Sequence, residues 1–150
     1  MDELVNLLDT HLRYIRHELR EDTFYIDVES NQTKATCPFC AIVSTRVHSK
    51  YERTFQDLPI QGKKVLIVLH NRKLFCDNSD CGHTTFAERF DFIAQKAKKT
   101  QRLEKEIIRW SLNCSSVAAS EILSLQFVQV GKSTICTLLK KEQLSLINQP

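Results

Sequence analysis

The chain has 150 residues, of which 42% are hydrophobic and 26% are charged, with only three glycines and three prolines. This composition excludes a disordered or collagen-like chain and favours one or two compact units. The longest uninterrupted aliphatic run, Val65 to Leu69, is far shorter than the ~20 residues that cross a bilayer. The acidic start at Asp2 and Glu3 is unlike a secretory signal. We therefore expect a cytoplasmic protein in a reducing compartment, without a membrane partner.

The net charge of +3 is distributed unevenly along the chain. Residues 1–36 contain eight acidic and four basic residues, whereas residues 37–150 contain seventeen basic and ten acidic ones. The two parts therefore carry −4 and +7. A basic excess of this size fits a polyanion such as nucleic acid, although an ordinary solvated surface often carries as much.

The first predicted unit, residues 1–30, combines a helix and a strand. Apolar residues recur every three or four positions, at Leu4, Leu8, Leu12, Ile15 and Leu19. This spacing predicts an amphipathic helix over residues 3–20, with a role in packing or self-association. The β-rich residues 23–28 predict a short strand after it.

The second predicted unit, residues 31–90, is built on a β-hairpin. Residues 51–58 and 63–75 read as two strands, and Pro59 and Gly62 mark the turn between them. We expect Val65, Ile67 and Leu69 to share one face of a hairpin whose surface is basic.

The third predicted unit, residues 91–150, is helical. The composition predicts helices over 92–113, 116–125 and 133–143, with a turn through residues 126–131. In the last helix Ile135, Leu138 and Leu139 point inward. The opposite side then carries Thr134, Thr137, Lys140 and Lys141. A helix-turn-helix presents such a face to the major groove, and an ordinary bundle with a solvated face remains the alternative.

Four cysteines form two close pairs at the two feet of the hairpin, one before its first strand and one after its second. The first pair is Cys37-Pro-Phe-Cys40, and Cys76 and Cys81 form the second with four residues between them. Four thiolates converging from two tight turns suit tetrahedral zinc, and a closed shell leaves no position for a reacting water. We therefore predict one structural zinc ion. Unliganded core thiols are the alternative, since disulfides are disfavoured in a reducing compartment.

The remaining cysteines and the histidines have simpler interpretations. His83 lies two residues after Cys81 and is an alternative ligand to it. His48 and His70 are expected on the surface of the basic strands. Cys114 and Cys136 stand alone in helical segments, which favours small core or half-buried positions.

Two other patterns lead to negative predictions. The tetrapeptide from Gly131 to Thr134 is similar to the end of a phosphate loop, but Gln126 occupies the position of the required first glycine and no strand precedes it. We expect no nucleotide site. The acids Glu104, Glu106 and Glu121 read as solvated helix charges rather than a catalytic triad, so we expect no enzyme activity.

Beyond these patterns, the order of several motifs resembles one known family. The motifs are Cys37 to Cys40, Thr45 to Tyr51, Asp57 to Gly62, Arg72 to Cys76, then Cys81, and Thr85 to Arg89. Together they closely resemble the N-terminal zinc-finger region of bacterial insertion-sequence transposases of the ISL-three type. Residues 94–142 look like the helix-turn-helix that follows in that family.

The resemblance implies a partner and a cellular setting. It implies binding of double-stranded DNA at the inverted-repeat ends of a mobile element, in a bacterial, nucleoid-associated protein. The family's catalytic domain is a DDE recombinase with three carboxylates around two divalent metals. It lies downstream of the matched region, so we expect residues 1–150 to supply the DNA-binding portion without it. A homo-oligomer formed through the N-terminal helix is a further expectation.

The sequence therefore predicts an α+β protein: a small zinc-ribbon β-hairpin unit, preceded by an N-terminal helix and short strand, and followed by a helix-turn-helix unit. Phosphate contacts are expected from Arg46, Lys50, Arg53, Lys63, Lys64, Arg72 and Lys73. Contacts from the last helix are expected from Lys132, Thr134, Thr137, Lys140 and Lys141, with Thr134, Thr137 and Lys141 toward base edges. The alternative function is a zinc-ribbon module for protein interaction or regulation, and a third class is an active nuclease or strand transferase.

Overall fold

The computed structural model describes residues 1–125, 128 and 130–148. Its architecture is α+β, as expected, with an N-terminal helix, a strand-rich sheet and three C-terminal helices. In chain order the elements are α1 (Asp2–Leu8), β1 (Leu12–Arg20), β2 (Thr23–Ser30), β3 (Ala35–Thr36), β4 (Val43–Ser44), β5 (Val47–Ile60), β6 (Lys63–Phe75), β7 (Thr85–Ala87), α2 (Gln101–Ser111), α3 (Ser116–Leu125) and α4 (Lys132–Ile147). No helix of the described segments is both long and apolar enough to span a bilayer.

One five-stranded sheet organises the first ninety residues. Its order is β1-β2-β6-β5, and β7 pairs with the end of β6. All pairs are antiparallel except β2 with β6, which is parallel. Strand β6 is therefore central, and the sheet continues across the unit boundary predicted at residue 30. The core of the sheet buries Val5, Leu12, Phe55, Phe90 and Phe92 together with the β2 and β6 side chains.

The helix predicted over residues 3–20 is wrong beyond Leu8. The chain turns at Asp9, which has an extended backbone, and residues 12–20 form β1. A bulge between Tyr14 and Arg16 shifts the register, so that Tyr14 lies opposite Val28 and His17 lies opposite Ile26. Cross-strand partners share a face, so the bulge places residues three apart on one side of the sheet. This spacing imitates a helical period.

The predicted hairpin is confirmed, and its first strand is longer than expected because it starts at Val47. Gln61 and Gly62 form its two-residue turn, with φ of 50° and 71°. Two successive positive φ values are those of a type I′ turn, whose twist matches that of paired strands. Val65, Ile67 and Leu69 share the buried face, as predicted.

The long helix predicted over residues 92–113 is shorter in the structure. Residues 92–100 are not helical, and α2 begins only after Thr100, whose hydroxyl caps the helix by accepting from the Leu103 N–H. Phe90 and Phe92 instead pack into the sheet core. Burial of these two rings therefore outweighs the helical propensity of the lysine- and alanine-rich stretch.

The three C-terminal helices form one core around Leu103, Ile107, Leu123, Ile135 and Leu138. The helix predicted at 116–125 is confirmed, and the one predicted at 133–143 extends to Ile147. The turn predicted through residues 126–131 falls partly on residues 126, 127 and 129, which lie outside the described residues.

The two isolated cysteines differ in their burial. Cys114 is half-buried, as expected, and its thiol donates to the Trp110 carbonyl at 3.2 Å. The interpretation of Cys136 as a core or half-buried residue is wrong, because its side chain is exposed on α4. It stands next to the buried Ile135, one position off the apolar stripe that faces the helical core.

The sheet and the helical unit meet at a buried carboxylate on β5. Asp57 is only 2% exposed and accepts from the Thr100 hydroxyl at 2.7 Å. The Arg102 guanidinium donates to both of its oxygens, with Nε at 2.8 Å from Oδ1. On the neighbouring residue, the backbone of Gln56 bonds to Lys98 and Thr100. Asp57 therefore fixes the start of α2 against the hairpin, a role that its sequence position alone does not predict.

Candidate metal centre and nucleic-acid interface

The first cysteine pair is held by a tight backbone turn. Cys37 follows β3, and its N–H donates to the Ile42 carbonyl at 2.9 Å. The Ala41 N–H donates to the Cys37 carbonyl, also at 2.9 Å, and Ala41 adopts a positive φ of 63°. The chain thereby reverses within a few residues and continues into β4.

The second pair lies just beyond the end of β6. The Cys76 N–H donates to the Thr84 carbonyl at 2.8 Å, and the Cys81 N–H donates to the Asn78 carbonyl at 3.1 Å. Asn78 also accepts from the Asp80 N–H through its side chain. These bonds close the four-residue spacer into a compact loop that faces the first pair.

The four sulfur atoms converge on one point. All four Sγ atoms of Cys37, Cys40, Cys76 and Cys81 lie within 4.8 Å of one another, and those of Cys40 and Cys76 are 3.5 Å apart. A zinc ion with Zn–S bonds of about 2.3 Å requires sulfur–sulfur separations of about 3.8 Å. None of these cysteines forms a disulfide. The cluster is therefore a structural zinc site with a closed four-thiolate shell.

The electrostatics of the four thiols also fit a cation. The backbone N–H of Ile42 lowers the pKa of Cys40 to about 7. The backbone N–H of Asn78 acts in the same direction on Cys76, but burial and the neighbouring thiols outweigh it and raise its pKa to about 12. The Cys40 thiolate thus forms readily and raises the pKa of Cys76 and Cys81. A divalent ion removes this conflict, because it stabilises all four thiolates together.

His83 is not part of the sulfur cluster. The metal-ligating group found among the described residues contains only the four cysteines. The His83 ring instead stacks on Phe39, with centroids 3.5 Å apart and an angle of 7° between the planes. The alternative in which His83 replaces Cys81 therefore receives no support from the geometry.

The metal centre is joined to a small core of its own. Leu74 and Phe86, both buried, pack with Cys37 beneath the sulfur cluster. On the outside, Arg46 binds Asp77 with Nε at 2.7 Å from Oδ1 and lies over the Phe75 ring at 5.1 Å. Metal binding and folding are coupled at such sites, so we expect this core to depend on the ion.

Two cysteine knuckles at the open end of a long hairpin, with four thiols that converge on one point, define a zinc ribbon. Residues 33–81 match a family described as the zinc-finger of transposase IS204/IS1001/IS1096/IS1165, and the match includes all four cysteines. The zinc-ribbon part of the predicted resemblance is thus confirmed. No curated protein and no solved structure matches the chain.

The seven hairpin cations that were predicted to contact DNA fall into two groups, those with and those without an ion pair inside the chain. Four of them form ion pairs within the chain. These pairs are Arg46–Asp77, Lys50–Glu29, Lys63–Asp22 and Arg72–Glu88. Arg53 lies over the Phe55 ring at 4.8 Å. Within the described part of the chain, no ion pair involves Arg53, Lys64 or Lys73, so these three are the most available for phosphate.

Arg72 is the least exposed of the four ion-paired cations. Its side chain is 12% exposed, and Nε and Nη2 donate to the two Glu88 oxygens at 2.7 and 2.8 Å. Glu88 also accepts from the Ser30 hydroxyl, and the hydrogen bonds that it accepts from Arg72 raise the pKa of that guanidinium. The guanidinium thus joins β2, β6 and the segment after β7, and its donors are largely used inside the protein.

The two strand histidines differ. His48 is exposed, as predicted. The surface position predicted for His70 is wrong, because its side chain is only 28% exposed and its Nε2 lies 2.7 Å from an oxygen of the buried Asp27. Parallel pairing of β2 with β6 places these two side chains on neighbouring strands, a proximity that sequence spacing does not reveal.

The residues predicted on the last helix are all exposed, and Thr134, Thr137, Lys140 and Lys141 share one face of α4. Lys132, Thr134, Thr137, Lys140 and Lys141 are all exposed, whereas Ile135 and Leu138 are buried against the helical core. The Thr137 hydroxyl donates to the Ser133 carbonyl at 2.9 Å. This face and the ribbon cations form the candidate nucleic-acid interface.

Proposed function

We propose that this chain is the DNA-binding portion of an insertion-sequence transposase and that it recognises the ends of a mobile element. The observation that carries the proposal is the zinc ribbon itself, whose four cysteines converge within a segment that matches a transposase zinc-finger family. In this proposal the ion supports the fold, and the surrounding side chains contact DNA.

The helical unit supports the proposal through its shape. Helices α3 and α4 pack against α2 around one core, and α4 exposes small hydroxyls and lysines on one side. A helix-turn-helix uses such a helix to reach base edges in the major groove. We propose that α4 is the recognition helix and that the ribbon cations hold the adjacent phosphates.

The charge distribution supports a polyanionic partner. The +7 carried by residues 37–150 includes exposed lysines on α4. It also includes Lys64 and Lys73 on β6, which form no ion pair with any described residue. Counterion release from the duplex then supplies much of the affinity. A cytoplasmic, nucleoid-associated location follows from this proposal.

The test is a titration of the zinc-loaded chain with a duplex oligonucleotide pool at several salt concentrations. If about five phosphates are neutralised, log K falls with log salt at a slope of about −4.5. Sequence selection from the same pool should enrich one motif. A flat salt response, or no enrichment after repeated selection, contradicts the proposal.

Two lysine variants separate positioning from base reading. Lys141→Gln should relax the selected motif, because a groove contact carries sequence information. Lys64→Gln should weaken all duplexes by a similar factor and reduce the salt slope by about 1. Lys34→Gln removes an exposed lysine from the acidic part of the chain and serves as the matched control, with binding unchanged.

A protein-interaction module is the second candidate, and exposed leucines on α1 favour it. Leu4 and Leu7 are 46% and 77% exposed beside a groove of about 190 Å³ that is lined mostly by apolar residues. Self-association measured by sedimentation, and abolished by Leu7→Gln without loss of DNA binding, supports an oligomer formed through α1. We also propose that residues 1–150 alone do not cut DNA, and metal-dependent cleavage by the purified chain contradicts this.

A further inference from the structure

A groove runs beside the metal centre, between the first zinc knuckle and the segment that follows β7. Its volume is about 570 Å³. Phe39 and His83 line its zinc end, and Arg53 and Lys73 line it from the hairpin. Residues 85–91 and 93–96 form the other wall. Neither the family match nor the sequence motifs assign a role to this groove.

The zinc end of the groove carries a stacked pair of rings. Phe39 lies inside the first knuckle and His83 lies two residues beyond the second, so closure of the metal site brings them together. Their centroids are 3.5 Å apart in nearly parallel planes, yet Phe39 remains 50% exposed. Arg89 lies over the phenyl ring at 5.7 Å, a looser contact than the stack with His83.

The walls of the groove are strongly cationic. Arg53, Lys73, Arg89 and Lys96 line it, and none of the four forms an ion pair with any residue that the structure describes. Of the two acidic residues that line it, Glu88 is neutralised by Arg72. Asp91 is then the one remaining carboxylate in a lining with four cations, so the net charge of the groove is positive and favours an anion.

We propose that this groove binds an unpaired nucleotide of DNA, with the base stacked on the Phe39–His83 pair and the flanking phosphates held by Lys73, Arg53 and Arg89. An aromatic ring needs the open face of a base, and inside an intact duplex both faces are covered by neighbouring base pairs. Basic grooves that carry aromatic platforms bind single strands in this way. The inference rests on the proposed DNA-binding function and adds a preference for locally unpaired DNA.

The experiment compares two fluorescent 30-bp duplexes that differ only by a central bulge of three unpaired thymidines. Both have the same blunt ends, so stacking on a duplex end contributes equally to each. We expect the zinc-loaded chain to bind the bulged duplex roughly tenfold more tightly, within the range that one stacked base supplies. An oligothymidine strand should compete for the bulged duplex.

Variants identify the residues responsible. Phe39→Leu keeps an apolar side chain but removes the platform, and it should abolish the preference for the bulge while leaving the salt slope unchanged. Lys73→Gln should instead lower the slope by roughly 0.7 to 0.9 for one lost phosphate contact. Tyr25→Leu is the control, because Tyr25 is an aromatic residue with its own arginine, Arg20 at 5.2 Å, and does not line the groove.

Zinc content is measured for every variant, and each should retain one ion. Equal affinity for the two duplexes overturns the inference while leaving the DNA-binding proposal intact, as does a bulge preference that survives Phe39→Leu. Failure of the wild-type chain to bind either duplex refutes both proposals.

Discussion

Replacing Asp57 by asparagine tests whether one buried carboxylate holds the helical unit against the sheet. The substitution preserves side-chain size and keeps an acceptor for the Thr100 hydroxyl, but it removes the charge that Arg102 binds with two donors. Removing one partner of a buried pair costs about 3–5 kcal/mol. Because the Arg102 side chain is 37% exposed and can rehydrate, we expect about 2–3 kcal/mol for Asp57→Asn.

The reverse substitution should cost more. Arg102→Met leaves the Asp57 side chain, which is 2% exposed, without its counterion and without access to water. We expect a loss of about 3–5 kcal/mol. The double variant, Asp57→Asn with Arg102→Met, should lose less unfolding free energy than the two single variants together. The difference, the coupling energy, should be about 2 kcal/mol, because the effects of substitutions at contacting residues are not additive.

Urea unfolding followed by tryptophan fluorescence measures these losses. The only tryptophan, Trp110, lies on α2 and packs against the helical core, so it reports the element that Asp57 anchors. Asp22→Asn is the control, because Asp22 pairs with Lys63 at 3.0 Å but is 68% exposed. Its cost should be about 0–1 kcal/mol. Equal losses for Asp57→Asn and Asp22→Asn refute the reasoning.

Two further substitutions test the ribbon and its turn. Cys76→Ser should abolish stoichiometric zinc and unfold the ribbon, since apparent zinc binding energies of about 10–16 kcal/mol exceed the stability of most small domains. Elemental analysis checks this, with the exposed Cys136→Ser as a zinc-retaining control. Gly62→Ala should cost about 1–2 kcal/mol, because its φ of 71° strains any Cβ although nothing lies within 4 Å. Gly82→Ala, with equal space and no positive φ, should be near neutral in the same urea assay.

The sequence predicts those features of the site that are formed by residues close together in the chain. The two cysteine pairs and the alternating apolar residues of β6 lie within short segments. Each pattern can therefore be recognised without knowing which distant residues it contacts in the fold. The turn at Gln61 and Gly62 is likewise a short-range signal between two strands. These features placed the metal centre and the hairpin correctly.

The error over residues 12–20 has a different origin. Leu12, Ile15 and Leu19 are compatible with a helix until β2 and the bulge at Tyr14 are in place. Strand formation there depends on pairing with β2, which itself pairs in parallel with β6 more than thirty residues later in the chain. The bulge interrupts the period-two alternation of β1, so its apolar residues follow a spacing that also fits a helix.

The sequence by itself determined a four-cysteine zinc ribbon, a long hairpin and a helical C-terminal unit, because spacing and turn chemistry act over a few residues. Only the tertiary structure decided which cations form ion pairs. Glu88, for example, pairs with Arg72 because β7, which it follows, lies beside β6. It also decided that Asp57 anchors α2 and that Phe39 stacks on His83. These contacts join residues from distant segments, and their free energies arise only when the sheet and the metal site have closed.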